Sequence, residues 1–144
     1  MSLNTLEEIA EYIVSDGKGI LAADESNPTC GKRFDSIGVE STETNRRDYR
    51  EMLFRAAGMQ DNIGGVILFD ETIRQSAEDG TPLVELIKTQ GALPGIKVDK
   101  GLAPLDSSPE ESVTQGLDGL DERCKEYFSL GAKFTKWRAV IKIS

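Results

Sequence analysis

Four short apolar runs, separated by stretches with helical periodicity, restrict this chain more than any other feature. Residues 19–26 read Gly-Ile-Leu-Ala-Ala-Asp-Glu-Ser and residues 64–71 read Gly-Gly-Val-Ile-Leu-Phe-Asp-Glu. Residues 95–101 read Gly-Ile-Lys-Val-Asp-Lys-Gly and residues 134–143 read Phe-Thr-Lys-Trp-Arg-Ala-Val-Ile-Lys-Ile. Continuous apolar runs of this length suit strands buried on both faces, as in parallel sheets. The order strand, helix, strand, helix, strand, helix, strand predicts a parallel α/β sheet covered by helices, with right-handed crossovers. Each run also meets charged residues, and the carboxyl ends of parallel strands are where such sheets bind ligands.

Side chains two apart on a strand share a face. If 134–143 is extended, Lys136 and Arg138 project together with Phe134 and Val140, while Trp137, Ala139 and Ile141 point the other way. In the third run Lys97 and Asp99 share one face, Ile96 and Val98 the other. Cations in an apolar setting need anionic partners, because an unpaired buried charge costs several kcal/mol. The plain alternative is a set of structural ion pairs, with Lys97 matched to Asp99. If the strand ends form one rim, Asp24, Lys97, Asp99, Lys136 and Arg138 converge at its mouth. A lysine held near other cations, or desolvated, serves as acid, base or Schiff-base nucleophile. Arg138 offers a planar fork for phosphate or carboxylate, and Ser26 and Thr29 offer neutral hydroxyls to phosphate oxygens.

Between the runs, Thr5 and Glu8 form a capping-box pattern ahead of a stripe of Leu6, Ile9, Ala10, Ile13 and Val14, closing near Asp16 and Gly17. Asn27-Pro28-Thr29 has turn chemistry and leads to a short helix, with Lys32 and Arg33 solvated on general grounds. From Thr42 to Ala57, Tyr49, Met52, Leu53 and Ala56 recur at helical spacing, which leaves Arg46, Arg47, Arg50 and Arg55 on the remaining surface. Thr81-Pro82 predicts an N-cap followed by proline at the first helical position, with Leu83, Val84 and Ile87 inward and Gly91 closing the helix. Residues 102–115 read as a long irregular loop rich in Ser, Pro, Asp and Glu. Leu117, Leu120, Cys124, Tyr127 and Phe128 mark a last amphipathic helix, stopped by Gly131.

A chain of 144 residues builds one hydrophobic core. A complete eight-stranded barrel needs about 250 residues. Net charge −8, from 17 basic and 25 acidic residues, argues against nucleic acid or an anionic membrane as partner. No apolar run reaches the roughly 18 residues of a membrane span, and no signal peptide is evident, so the cytoplasm is the expected compartment. The 2 cysteines, Cys30 and Cys124, suggest neither a disulfide framework nor a zinc site, and with no histidine the acid and base work falls to carboxylates and lysines. A carboxylate magnesium site stays open, but no spacing picks one out. No glycine-rich nucleotide fingerprint follows a strand.

Seven motifs, in order, carry a family pattern: Leu-Ala-Ala-Asp-Glu-Ser at 21–26, Gly-Lys-Arg at 31–33, Asn-Arg-Arg at 45–47, Gly-Gly-Val-Ile-Leu-Phe at 64–69, Gly-Ile-Lys-Val-Asp-Lys-Gly at 95–101, Gln-Gly-Leu-Asp-Gly-Leu at 115–120 and Lys-Trp-Arg at 136–138. Together they resemble class I fructose-1,6-bisphosphate aldolase over nearly the whole chain. The resemblance implies a (β/α)8 TIM barrel that cleaves fructose 1,6-bisphosphate to glyceraldehyde 3-phosphate and dihydroxyacetone phosphate through a Schiff base, with no metal or cofactor. It implies catalytic roles for Asp24, a proton-relay carboxylate, and Lys136, an electrostatic and proton-transfer group. It also implies substrate-phosphate roles for Arg33, Arg46, Lys97 and Arg138, with Ser26 on the phosphate loop and Asp99 on the rim. Thr29 stands where the family often has serine.

By the same resemblance only the first four β/α units are present, residues 1–144 forming the N-terminal half of the barrel. The family's Schiff-base lysine, its paired glutamates and its later phosphate site lie on later strands. The expected partners are therefore a sugar bisphosphate, the C-terminal half of the barrel and, as in the family, further copies in a tetramer. Two alternatives stand beside this aldolase reading. One is a non-catalytic half-barrel that binds sugar phosphates or serves as an assembly module. The other is an autonomous enzyme whose Schiff-base lysine is Lys136, as in the similar transaldolase family.

Overall fold

A computed structural model describes residue 3 and residues 5–143. In chain order the elements are α1 (Leu6–Ile13), β1 (Gly19–Ala23), α2 (Asn27–Asp35), α3 (Glu43–Phe54), α4 (Met59–Asn62), β2 (Ile63–Leu68), α5 (Asp70–Ile73), α6 (Leu83–Thr89), β3 (Leu93–Lys97), β4 (Leu102–Leu105), β5 (Ser108–Thr114), α7 (Leu120–Ser129) and β6 (Phe134–Lys136). Strands β1, β2, β3 and β6 lie in that order in one parallel sheet. These are the four apolar runs of the sequence, joined by the expected helical crossovers.

Alternation along the strands gives the sheet two unlike faces. Ala23, Val66, Leu68, Ile96 and Val98 point to the helix-covered side, where they pack with Phe54, Met59, Ile73, Leu83, Val84, Ile87 and Tyr127 in one core. The opposite face is glycine-rich near its floor. The Phe134 ring lies across Gly95 of the adjacent β3 and reaches Gly65 of β2 beyond it, and a Cβ on Gly95 would fall 2.3 Å from the ring. A Cβ on Gly64 would fall 2.5 Å from the Ile13 carbonyl, so the glycine pair also lets the end of α1 approach β2.

Several local expectations hold. Thr5 accepts from the Glu8 amide while Glu8 accepts from Thr5, completing the capping box. Thr42 caps α3 by accepting from the Asn45 amide. Gly91, at φ 75, follows α6, which begins after Pro82 rather than at it.

Other expectations are corrected. The 102–115 stretch is a two-stranded antiparallel ribbon in which Ala103 pairs with Val113 and Pro104 with Ser112. Its base is closed by Lys100 N–H to Gln115 O at 2.8 Å and Gln115 N–H to Gly101 O at 2.8 Å. Each strand of such a ribbon has a free edge, so proline, a loop signal in the sequence, is tolerated there. Asn27-Pro28-Thr29 is not a turn but the first turn of α2, where proline lacks an amide that would be unsatisfied anyway. The fourth strand stops at Lys136 because its neighbour β3 ends at Lys97, its partner in register, and the chain beyond finds no ladder to extend. On α3 the buried side chains are Arg50 and Phe54, whereas Met52 is 60 % exposed. The stripes of α1 and α7 are also shallower than expected, with Leu6, Leu117 and Phe128 all exposed.

The floor of the open face generates a test. Gly95→Ala forces its methyl into the Phe134 ring and should destabilise the chain by about 1–3 kcal/mol, the usual cost of overpacking. Urea unfolding measures it, and Gly95→Ala combined with Phe134→Ala should cost less than the two single changes added.

Candidate active site

The carboxyl ends of β1, β2, β3 and β6 surround a cavity of about 770 Å³. Asp24 follows β1, Lys97 ends β3 and Lys136 ends β6, and parity puts all three on the face away from the helices. Lys136 Nζ donates to Asp24 Oδ2 at 2.9 Å, joining the first and last strands of the sheet. Lys97 Nζ donates to Asp99 Oδ1 at 2.7 Å and to the Asp99 carbonyl at 3.0 Å. Two lysine–carboxylate pairs thus sit side by side, because Lys97 and Lys136 are register partners.

Asp24, Ser26, Thr29, Lys97, Asp99 and Arg138 line this cavity. Lys136 borders a second hollow of about 550 Å³ on the same face, roofed by α1. Arg138 is exposed and has left the strand, but its carbonyl is held by the Thr114 hydroxyl at 2.6 Å, which anchors the last segment to the ribbon. Ser26 and Thr29 lie 3.1 Å apart, hydroxyl to hydroxyl, at the start of α2.

Two further expected residues stand outside both hollows. Arg33 is paired with Glu25, a residue of the cavity wall, and its side chain is largely exposed. Arg46 makes a two-pronged contact with Glu71, at 2.8 and 2.7 Å, and donates to the Ser41 carbonyl at 2.6 Å. That pairing, led by the hydrogen bond from Arg46, holds the Glu71 carboxyl below its usual range.

Part of the wall was not foreseen. Arg123 of α7 donates from Nη1 to the Val98 carbonyl at 2.9 Å and from Nη2 to the Gly116 carbonyl at 2.5 Å. It thereby straddles the two chain segments entering and leaving the ribbon. Tyr127, read from the sequence as a core residue, is buried but turns its hydroxyl to Asp70 Oδ1 at 2.9 Å, and Arg74 bridges Asp70 and Glu126. Burial pushes the Asp70 carboxyl up, but hydrogen bonds from Arg74 and Tyr127 outweigh it and the group titrates below its usual range. The only sequence signal was polar residues at helical spacing next to apolar ones, which most solvated helices share. No cluster of three or more His, Cys, Asp or Glu side chains suited to a metal ion occurs among the described residues.

A parallel α/β sheet with lysine–carboxylate pairs at its carboxyl ends defines a class, and comparison with known proteins supplies the family. The family model for fructose-bisphosphate aldolase class-I matches residues 5–144, and the chain belongs to that family. It is 55 % identical over 143 residues to a probable fructose-bisphosphate aldolase class 1 of Xanthomonas axonopodis pv. citri, covering 99 % of this chain and 43 % of that protein. It is 58 % identical over 134 residues to fructose-bisphosphate aldolase 6, cytosolic, of Arabidopsis thaliana, covering 93 % of this chain and 37 % of that protein. A crystal structure of fructose-bisphosphate aldolase from Plasmodium falciparum, in complex with TRAP and a small molecule inhibitor, superposes with a TM-score of 0.88 at 54 % identity. That match covers 90 % of this chain and 38 % of the Plasmodium chain. The chain therefore spans less than half the length of these relatives.

Asp99 makes the electrostatics testable. Burial presses its carboxyl upward, but the hydrogen bond and charge of Lys97, the Gly101 amide and the charge of Lys136 more than offset this, so it titrates below the usual range. A carboxyl whose folded pKa lies below its unfolded value of about 3.9 contributes stability that is complete above that value and is lost as pH falls through the folded one. Asp99→Asn should therefore lower the urea midpoint near neutral pH and make its decline between about pH 5 and pH 3 shallower than in the unsubstituted chain.

Proposed function

We propose that this chain supplies one side of a class I aldolase site that cleaves fructose 1,6-bisphosphate, and that its four parallel strands are the first four β/α units of a (β/α)8 barrel, residues 1–144 acting as one unit. The observation that carries the proposal is the Lys136–Asp24 pair at 2.9 Å, formed across the sheet by residues 112 positions apart and placed beside Lys97–Asp99 at the strand carboxyl ends. An ammonium held by a charge-assisted hydrogen bond stabilises negative charge as it develops on a substrate oxygen and exchanges a proton with its carboxylate partner.

In this arrangement Asp24 and Lys136 face the substrate carbon chain. Lys97 and Arg138 meet a phosphate from the ends of neighbouring strands, and Ser26 and Thr29 add hydroxyl donors at the start of α2. Asp99 orients Lys97. Arg33 reaches a phosphate by exchanging Glu25 for it, whereas Arg46 contributes by holding Glu71. The Schiff-base lysine comes from the part of the relatives' length that this chain does not cover, whether on the same polypeptide or another. Those segments pair with the free edges of β1 and β6, an arrangement that removes the exposed edges among the described residues. The complete assembly is a homo-oligomer working in the cytosol, the compartment named for the Arabidopsis relative.

Borohydride trapping tests this directly. The chain is incubated with dihydroxyacetone phosphate, alone and together with a polypeptide covering the remaining length of an aldolase relative, then reduced and weighed intact. The expected adduct appears on the added polypeptide only. An adduct on Lys136 overturns the division of labour, and no adduct in the completed assembly overturns the aldolase assignment. In that assembly Lys136→Met should lower kcat by about 10²–10⁴-fold, the usual worth of a general acid–base group, with little change in Tm.

A further inference from the structure

Arg50 is among the most buried side chains of the molecule, 2 % exposed, although it sits on a helix otherwise rich in surface charge. Its guanidinium passes beneath the carboxyl end of β1. Nε donates to the Ala23 carbonyl at 2.9 Å, Nη2 to the Glu25 carbonyl at 3.0 Å, and Nη1 contacts Cys30 Sγ at 3.2 Å. Nη2 also lies 3.0 Å from Glu25 Oε2, an ion-pair contact without hydrogen-bond geometry, and the guanidinium lies 5.1 Å from the centre of the Tyr49 ring.

The two carbonyls it grips belong to the residues on either side of Asp24. We propose that Arg50 is the positioning residue of Asp24: by fixing the backbone before and after it, Arg50 aims the Asp24 carboxylate across the sheet at Lys136. Ala23 is fully buried in the helix-side core, so alternation turns Asp24 to the other face. The strand ends at Ala23, however, and no ladder partner constrains the backbone beyond it. The guanidinium takes the ladder's place. Its planar fork spans two carbonyls in one fixed geometry, which a lysine ammonium on a flexible stem does not reproduce. A buried cation carries a large desolvation cost. Here that cost is met by two backbone carbonyls and the nearby Glu25 carboxylate, and what the carbonyl grip secures is the direction of the Asp24 carboxylate.

The inference rests on the reading of Asp24–Lys136 as the working pair, but its test needs no activity. The folded chain is reductively methylated under limiting reagent and labelling at each lysine is followed by peptide mass mapping, with the exposed Lys125 as internal reference. Asp24→Asn frees Lys136 and sets the upper level. Arg50→Lys should raise Lys136 labelling about tenfold, the size expected for release of a charge-assisted hydrogen bond, and Lys125 should not change. The double variant should label no faster than Asp24→Asn alone. Unchanged Lys136 labelling in Arg50→Lys overturns the inference, and so does an additive double variant.

If Arg50→Lys lacks a cooperative unfolding transition, the unsubstituted chain answers instead. Arg50 should show through-hydrogen-bond NMR couplings from Nε to the Ala23 carbonyl carbon and from Nη2 to that of Glu25, and absence of both overturns the inference. Failure of the aldolase assignment would show only in the completed assembly, as a missing adduct with the labelling result intact.

Discussion

Two lysines occupy register-paired positions on neighbouring strands, and much of the functional end of this structure follows from making that arrangement tolerable. Like charges facing each other across a ladder are destabilising. Lys97 and Lys136 share a sheet face with no intervening strand, so each needs its own anion. Asp99, two residues past Lys97, serves the first from just beyond the end of the same strand. Lys136 has no acid within its own run and is served by Asp24, from the far edge of the sheet. The sheet order thus sets the charge pattern. Parallel strands put every carboxyl end on one side, and there Lys136 and Asp24, so distant in sequence, meet.

The same face is organised differently at its other end. Glycines at 65 and 95 lower the floor so that one aromatic ring, Phe134, spans strands that bulkier residues would hold apart. Phe134 and Lys136 share a face of β6, and the ring therefore sets the height at which the lysine emerges. Above this floor the surface stays partly apolar and uncovered: Ile20 is 41 % exposed and Leu6, on the helix that roofs the hollow, 80 %. The helix side, by contrast, is closed, with Val66, Leu68, Ile87 and Ile96 at essentially zero exposure. One finished and one unfinished face is what the proposed barrel reading requires, since the inner face of a barrel is filled by strands from all around it.

The strands, their succession along the chain and their charged ends were legible in the sequence because they rest on period-two alternation and continuous apolar runs, signals carried by the residues themselves. The capping box and glycine stops were equally local. What failed to show was of another kind. The ribbon at 102–114 has almost no apolar pattern, because neither face is in the core; it is held by its own ladder and by the Lys100–Gln115 pair at its base. The length of the last strand depended on where its neighbour ends. Arg50 was placed on the surface because arginine usually lies there, and its burial follows from acceptors that only the fold supplies. Among the site residues, Asp24, Lys97, Asp99 and Arg138 line the cavity and Lys136 borders the second hollow, while Arg33 and Arg46 are turned to Glu25 and Glu71.

The Arg46–Glu71 pair and the buried Arg50 form one device. Arg46, Arg50 and Phe54 recur at four-residue spacing and so occupy one face of α3. Phe54 enters the core, Arg50 grips the end of β1, and Arg46 reaches Glu71 in the short helix after β2. A single helix face therefore sets three depths: the packed layer, the first strand's carboxyl end and the second's. Helix positions are 1.5 Å apart along a rigid axis, so any shift of α3 against the sheet would move the ends of β1 and β2 together. The acids at those ends keep their spacing because they are measured against the same helix. A surface role for these arginines would leave the segments beyond the last ladder pair, Ala23 with Leu68, without that common reference.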